Sequence, residues 1–201
     1  MPEYTLLKSS IGDYKERSSS FHAVAQPASD INDIKSSLII MKEDCPDASH
    51  ICYAYRIKLG RRLDEFSSDA GEPKGSAGQP ILNALKRQNL INVIIFVIRY
   101  YGGAKLGIPG LIYAYGIAAQ NAIKNAKLKP WMAKKRLLVT YPYELEGAIK
   151  LILQKHLVEI ICEDYSEKID IQLEIDVELV DDFIDNIKAH AYGGAQIIKM
   201  D

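Results

Sequence analysis

The chain has 201 residues, which is enough for one large domain or two small ones. Hydrophobic residues make up 48% and charged residues 25%, a composition that excludes an intrinsically disordered chain. The net charge of −1 conceals an asymmetry, because residues 1–130 carry 17 Lys and Arg against 12 Asp and Glu, whereas residues 131–201 carry 8 against 14. The basic excess of the first part permits RNA binding but is far below that of a dedicated nucleic-acid-binding module.

No signal for export or membrane insertion is visible. The N-terminal residues 1–4 lack the basic segment and apolar run of a secretory signal peptide. The longest apolar stretch, residues 93–98, has six residues, whereas a helix needs about 20 to cross a bilayer. We therefore expect a soluble, cytoplasmic protein that does not contact a membrane.

The cysteines indicate neither a disulfide framework nor a metal centre. Cys45, Cys52 and Cys162 are an odd number without close pairing. His50 and Cys52 share one face of a strand-like run and could hold a metal, but no third ligand is evident. A structural role for both fits a reduced compartment better, so we predict no metal and no cofactor.

The predicted elements of residues 1–130 mix helices and strands. They are, in order, a strand over 21–26, a helix from Asp30 or Asn32 to about residue 43, a hairpin of residues 50–59 and 63–67 turned by Gly60 and Arg61, a helix over 80–88, a strand over 92–101 and a helix over 109–126. The strand over 92–101 has no polar face, so it should be central and covered on both sides. Tyr115 belongs to the apolar stripe of the last helix and is expected in the core. Residues 127–130 end that helix and begin a linker.

Residues 131–201 follow the order βαββαβ. Residues 168–176 alternate strictly between aliphatic and polar side chains, as in a strand with one wet face. A strand over residues 157–164 should pair with this one. Apolar residues recur at helical spacing over 145–153 and 180–187. Strands over 136–143 and 195–200 complete the βαββαβ order. We therefore predict an α+β fold of two domains, 1–130 and 131–201, the second ferredoxin-like.

The first glycine-rich segment, residues 69–80, reads Asp-Ala-Gly-Glu-Pro-Lys-Gly-Ser-Ala-Gly-Gln-Pro. Three glycines and two prolines preclude regular structure over most of it. The helix that follows begins either with a capping box of Ser76 and Gln79 or with Pro80 at its first position. Asp69 and Glu72 are either an acid–base pair or, as we favour, acceptors for the backbone N–H groups of the loop itself.

The second glycine-rich segment, residues 99–110, reads Arg-Tyr-Tyr-Gly-Gly-Ala-Lys-Leu-Gly-Ile-Pro-Gly. It lies between the buried strand and the long helix, an arrangement that can point backbone N–H groups at an anion. It has neither the Walker A pattern nor the spacing of a dinucleotide fingerprint. An anion site and a purely structural turn are both compatible with these residues.

We predict that the two segments lie side by side and form one groove. Both follow strands that can share a sheet edge, and both lead into a helix. Cations and aromatics in the second segment suit phosphate contact and base stacking. No catalytic residue is predicted. The candidate binding residues are Asp69, Gly71, Glu72, Gly75, Gly78, Arg99, Tyr100, Gly102, Gly103, Lys105, Gly107 and Gly110.

Residues 50–55, 69–82 and 99–119 resemble three ordered motifs of the IMPACT/YigZ family, over about residues 15–130. The resemblance implies a first domain similar to the second domain of a small-subunit ribosomal protein. It also implies a second domain similar to one in ribosomal translocation factors. Eukaryotic members regulate translation by binding the scaffold that activates an amino-acid-starvation kinase, and bacterial members look like nucleic-acid- or ribosome-associated proteins.

The chain departs from the family pattern at three positions. Pro109 stands where a glycine is usual, and Tyr113 and Ser20 stand where basic residues are usual. Two lost cations weaken the phosphate binding that the resemblance implies, while Pro109 is compatible with a first helical turn.

The function we expect from these residues is that of a non-enzymatic binding protein. It would act in translation regulation or the stress response and bind RNA, the ribosome or a translation-regulatory protein through the groove. The alternative is a hydrolase or transferase acting on a phosphorylated small molecule.

Overall fold

The computed structural model describes residues 2–59 and 62–200, and the chain divides into two compact units, Met1–Trp131 and Met132–Asp201. The α+β fold with two domains is confirmed. The strands and helices of the first unit are β1 Tyr4–Leu6, β2 Ser10–Glu16, β3 Ser19–Pro27, α1 Ile31–Asp44, β4 His50–Leu59, β5 Arg62–Ser68, α2 Gly78–Arg87, β6 Val93–Tyr100, α3 Gly107–Lys124 and β7 Leu128–Pro130. The second unit contains β8 Lys134–Tyr141, α4 Glu146–Lys155, β9 Glu159–Tyr165, β10 Ile169–Asp176, α5 Val180–Ala191 and β11 Gln196–Met200.

The first unit is built on a five-stranded antiparallel sheet in the order β2-β3-β6-β4-β5. Its centre is β6, whose residues from Val93 to Ile98 are all buried. Alternate side chains of β6 enter two different cores, one with α2 and α3 and the other with α1. The prediction of a central strand covered on both faces is therefore confirmed, and its physical reason is the lack of any polar side chain over six positions.

The second unit has the predicted strand order of a ferredoxin-like domain. Its antiparallel sheet runs β11-β8-β10-β9, with α4 and α5 contributing to the core. The four alternating aliphatic residues of β10 are buried, which confirms the one-sided strand. They are Ile169, Ile171, Leu173 and Ile175.

Helix boundaries follow local capping chemistry. Asp30 caps α1, since its Oδ1 accepts hydrogen bonds from the N–H groups of Asn32 and Asp33 at 2.6 and 2.9 Å. Of the two caps considered, Asp30 is therefore the one that forms. The predicted turn residues Gly60 and Arg61 lie outside the described residues.

The linker prediction for residues 127–130 is wrong. Residues 128–130 form β7, which pairs antiparallel with β1, with Tyr4 opposite Pro130. The sequence also failed to indicate β1 and β2. Strand β7 is short and none of its three residues is buried, so it has no apolar periodicity, and β2 buries only Gly12.

Strand β2 packs directly on α3. A Cβ at Gly12 would overlap the backbone of Asn121 and Ala122, so the strand can approach the helix only with glycine there. Ser10 Oγ donates to the Ala122 carbonyl at 2.8 Å, and Asn125 Nδ2 donates to the Ile11 carbonyl at 2.9 Å.

The connection between the units should be the first site of proteolysis. Residues 131–133 belong to no helix or strand, and Met132 and Ala133 are exposed. Limited digestion followed by mass spectrometry should release a stable fragment of about 130 residues that ends in this connection. Early cleavage within residues 62–110, without a stable fragment, would contradict separate folding of the first unit.

Candidate functional site

The first glycine-rich segment is organised around the Asp69 carboxylate. Its oxygens accept hydrogen bonds from the N–H groups of Gly75, Ala77 and Gly78 at 2.8, 3.0 and 2.8 Å. Burial acts to raise the pKa of Asp69, but the three backbone donors outweigh it and hold the pKa below its usual value. Asp69 therefore fixes the shape of its own loop, the interpretation that the sequence favoured.

The same carboxylate occupies the N-terminus of α2, so neither predicted cap forms. Ser76 Oγ donates instead to the Pro73 carbonyl at 2.7 Å, and Pro80 is the third residue of the helix. The start of α2 is thus closed to any other anion, because its first free N–H groups already have an acceptor.

Glu72 belongs to a different, buried cluster. Its Oε1 lies 2.5 Å from Arg99 Nη1 and 2.8 Å from the Tyr115 hydroxyl, which donates to it. The Glu72 and Arg99 side chains are only 4% and 7% exposed. Burial, followed by the neighbouring Cys52 thiol and Glu72 carboxylate, raises the pKa of Tyr115, which keeps its hydroxyl a neutral donor. The ion pair joins the first segment to β6 and α3.

His50 and Cys52 anchor the first segment to β4. His50 Nδ1 lies 2.9 Å from the Ala70 carbonyl oxygen, which can only accept, so Nδ1 carries the proton. The other ring nitrogen, Nε2, lies 4.0 Å from Glu72 Oε1. Cys52 Sγ donates to the Asp69 carbonyl at 3.0 Å, and burial is the main cause that raises its pKa to about 12. Cys52 is thus a thiol with a structural contact rather than a reactive thiolate.

A cleft of 520 Å³ opens beside this cluster and receives residues from both segments. Its polar lining consists of Ser49, His50, Glu72, Arg99 and Lys105. Its less polar wall consists of Pro73, Tyr101, Leu106, Gly107, Ile108 and Leu111.

The start of α3 forms one wall of the cleft. The helix begins at Gly107 and no side chain caps its first turn. The exposed Lys105 side chain makes no hydrogen bond or ion pair with any residue that the structure describes. Two further exposed cations adjoin residues of the cleft lining. Lys74 follows Pro73 in the chain, and Arg17 Nη1 donates to the Lys105 carbonyl at 3.1 Å. Lys105 therefore lies in the cleft lining, and Lys74 and Arg17 each adjoin a residue of that lining.

The predicted binding residues divide into three groups. Glu72, Arg99, Lys105 and Gly107 line the cleft. Asp69 is engaged inside its loop, and Tyr100 lies on the other face of the sheet, where its ring packs against His22 at 5.8 Å. The remaining positions are glycines that shape the backbone. Gly78 approaches the backbone of Ser68 closely and Gly102 that of Ser18, while Gly71, Gly75 and Gly103 have positive φ. Gly110 lies in the first turn of α3, against Leu106.

Sequence reasoning missed the polar role of Tyr115 and the apolar wall of the cleft. Tyr115 is fully buried as expected, but its hydroxyl completes the cluster around Glu72. A tyrosine on an otherwise aliphatic helical stripe was the available signal, since a buried hydroxyl needs a partner.

Two of the positions that depart from the family pattern lie away from the cleft lining. Tyr113 is 58% exposed and packs edge-to-face on Tyr14 at 5.9 Å. Ser20 lies in β3 opposite Tyr100. Pro109 is the third residue of α3, so its missing N–H interrupts no helical hydrogen bond.

The described part of the chain has neither a cluster of metal ligands nor a membrane-spanning helix. Residues 2–59 and 62–200 contain no group of three His, Cys, Asp or Glu side chains arranged to hold a metal ion. No helix within the same ranges is long and apolar enough to cross a membrane.

Comparison with known proteins identifies both units. Residues 17–123 match the Impact N-terminal domain, and residues 139–188 match a domain of unknown function, DUF1949. An IMPACT family member of Haemophilus influenzae is 29% identical over 197 residues, covering 96% of this chain and 95% of that protein. The IMPACT family member in the pol 5′ region of Thermus thermophilus is 37% identical over 140 residues, covering 69% and 74%.

The fold is also found among solved structures. The crystal structure of a hypothetical protein matches with a TM-score of 0.73 at 22% identity, over 100% of this chain and 98% of that one. At that identity the match concerns the fold alone. The family follows instead from the sequence matches: because the Impact N-terminal domain matches more than half of the chain, the chain belongs to the IMPACT family.

Proposed function

We propose that this IMPACT-family protein is a non-enzymatic binding protein linked to regulation of translation or the stress response, and that its cleft binds single-stranded RNA. The link to translation rests on the resemblance of residues 50–55, 69–82 and 99–119 to the family motifs. The choice of RNA rests on the chemistry of the cleft.

The observation that carries this proposal is a group of exposed cations beside an aromatic ring, none of which forms an ion pair with a described residue. Lys105 lines the cleft, and Arg17 and Lys74 each adjoin a residue of its lining. Tyr101 is 47% exposed, and its ring lies 5.3 Å from Arg99 Cζ. Cations for phosphates and a partly exposed ring for base stacking are what single-stranded nucleic acid requires.

The acidic groups of the site favour binding over catalysis. Asp69 is held by three backbone donors and Glu72 by Arg99 and Tyr115, so both carboxylates already have structural partners. Cys52 is buried with a raised pKa and His50 Nδ1 is engaged by a carbonyl. His50 Nε2, 4.0 Å from Glu72 Oε1, is left able to take up a proton, but a hydrolase or transferase would also need a second group free to protonate or attack the substrate.

Lys105→Ala should weaken the binding of a single-stranded RNA of 12 nucleotides at every sequence tested. The variant loses roughly one phosphate contact, so the slope of log K against log salt should become shallower by about 0.7. Fluorescence anisotropy titrations at several salt concentrations measure both effects.

Lys124→Ala is the matched control. Lys124 is an exposed lysine in the last turn of the same helix, roughly 26 Å along the helix axis from its start. It should leave the affinity and the salt slope unchanged. Equal weakening by both variants would show that binding depends on overall charge and would contradict a site at the cleft.

Affinity capture from native lysate, with and without ribonuclease, separates RNA from protein partners. Capture of ribosomal material that ribonuclease abolishes supports the proposal. Capture of a single protein that ribonuclease leaves unchanged would overturn it in favour of a translation-regulatory protein partner.

A further inference from the structure

Resting on the proposed function, we propose that the cleft recognises the terminal phosphomonoester of an RNA strand, not its internal phosphodiester chain. The argument starts from the buried guanidinium of Arg99. Its side chain is 7% exposed and lines the cleft, Nη1 bonds Glu72, and Nε is buried without a hydrogen-bond partner among the described residues. A guanidinium has five N–H donors, so with Nη1 on Glu72 and Nε buried, Arg99 retains Nη2, which bonds no described residue, as the donor that a ligand oxygen can engage.

The start of α3 provides a second set of donors at the same place. Gly107 and Ile108 line the cleft and begin a helix of 18 residues that no side chain caps. Pro109 has no N–H, so the free donors of the first turn are those of Gly107 and Ile108, which together with the helix dipole favour an anion there. Arg99 and the start of α3 therefore face one cleft from the sheet and from a helix.

Charge favours a doubly charged ligand. Glu72 balances Arg99, which leaves Lys105 in the cleft lining, with Arg17 and Lys74 each adjoining a lining residue. A phosphomonoester carries about −1.5 to −2 charges at pH 7, whereas an internal phosphodiester carries one. Cations in and next to the lining thus match the charge of a strand end better than that of a single link of the backbone.

The size and walls of the cleft also indicate a strand end. Its volume of 520 Å³ falls in the range of sites for small molecules, and Pro73, Leu106, Ile108 and Leu111 make one side apolar. A terminal nucleotide can place its phosphate on the donors and its base against these side chains. An internal phosphodiester carries the strand on both sides, so a second nucleoside and its next charged phosphate would have to pass the apolar wall.

The test uses RNA pentamers of one sequence that carry a phosphate at the 5′ end, a phosphate at the 3′ end, or hydroxyl groups at both ends. Isothermal titration calorimetry should show that one phosphorylated pentamer binds at least about tenfold more tightly than the hydroxyl form, equivalent to about 1.4 kcal/mol. Lys105→Ala should remove most of this preference, whereas Lys124→Ala should retain it. The corresponding nucleoside monophosphate should compete with the preferred pentamer.

The possible failures are distinguishable. Equal affinity for all three pentamers would overturn end recognition while leaving RNA binding intact. Binding of none of the pentamers or of the nucleoside monophosphate would overturn both proposals. A preference that survives Lys105→Ala would overturn the cleft as the site of end recognition, whatever the effect of Lys124→Ala.

Discussion

Replacing Glu72 with alanine is expected to lower the free energy of unfolding of the first unit by about 3–5 kcal/mol, because breaking a buried ion pair leaves an uncompensated charge. The Arg99 guanidinium would stay between the Phe21 and Tyr101 rings without its carboxylate. The Tyr115 hydroxyl would lose its acceptor in the same variant. Urea titration followed by the fluorescence of Trp131, the only tryptophan, measures the loss, since Trp131 belongs to the first unit.

Glu3→Ala provides the comparison, because it removes one partner of an ion pair that is only partly buried. Glu3 lies 2.9 Å from Lys58 Nζ, and both side chains are about one quarter exposed, at 24% and 23%. Its loss should cost no more than about 1 kcal/mol, as for other solvated ion pairs. If Glu72→Ala destabilises the protein no more than Glu3→Ala does, the buried cluster is not the anchor of the first glycine-rich segment.

Replacing Gly102 with alanine should destabilise the first unit by at least about 3 kcal/mol, the upper end of the usual cost of overpacking. A Cβ there would overlap the backbone carbonyl oxygen of Ser18, and a backbone atom cannot move aside as a flexible side chain can. The strand end and the turn between β2 and β3 would have to separate. The same urea titration gives the magnitude.

Gly103→Ala is the matched variant at the next position. Gly103 has φ of +90°, but nothing lies within 4 Å of an added Cβ. Only the backbone preference opposes the substitution, at a cost of about 1–2 kcal/mol. Equal effects of the two alanines would mean that conformation, and not the contact with Ser18, determines the need for glycine at 102.

The sequence predicted the sheet and the helices best where side chains carry a strong period. Strand β6 with its unbroken apolar run and β10 with its strict alternation were both assigned correctly. Strands β1 and β7 were not predicted, because each is three residues long and its only strand partner is the other, more than 120 positions away in the sequence. Such pairing is tertiary information, which no local window contains.

The candidate site was predicted less completely than the fold. Residues of both glycine-rich segments line one cleft, among them Arg99 and Lys105, but of the glycines predicted to bind only Gly107 belongs to its lining. The sequence could not show which carboxylate would fill the start of α2 and which would pair with Arg99, because Asp69 and Glu72 are only three residues apart in an irregular loop. The sequence also could not show that the Tyr101 side chain lines the cleft while that of Tyr100 lies on the opposite face of the sheet. Side chains alternate between faces only within a strand, so this depends on where β6 ends.

The pairing of β1 with β7 and the packing of β2 on α3 determine when the first unit can fold during synthesis. The partners of Ser10 and Ile11 lie in residues 122–125, and Tyr4 pairs with Pro130. The N-terminal segment is therefore made first and finds these contacts last, after almost all of the unit has left the ribosome. Until then β2 has only β3 beside it, and the face that will receive α3 is open to water. A nascent chain stalled before residue 107 would expose that face, which makes the interval before α3 emerges the one in which the unit is most prone to aggregate or to need a chaperone.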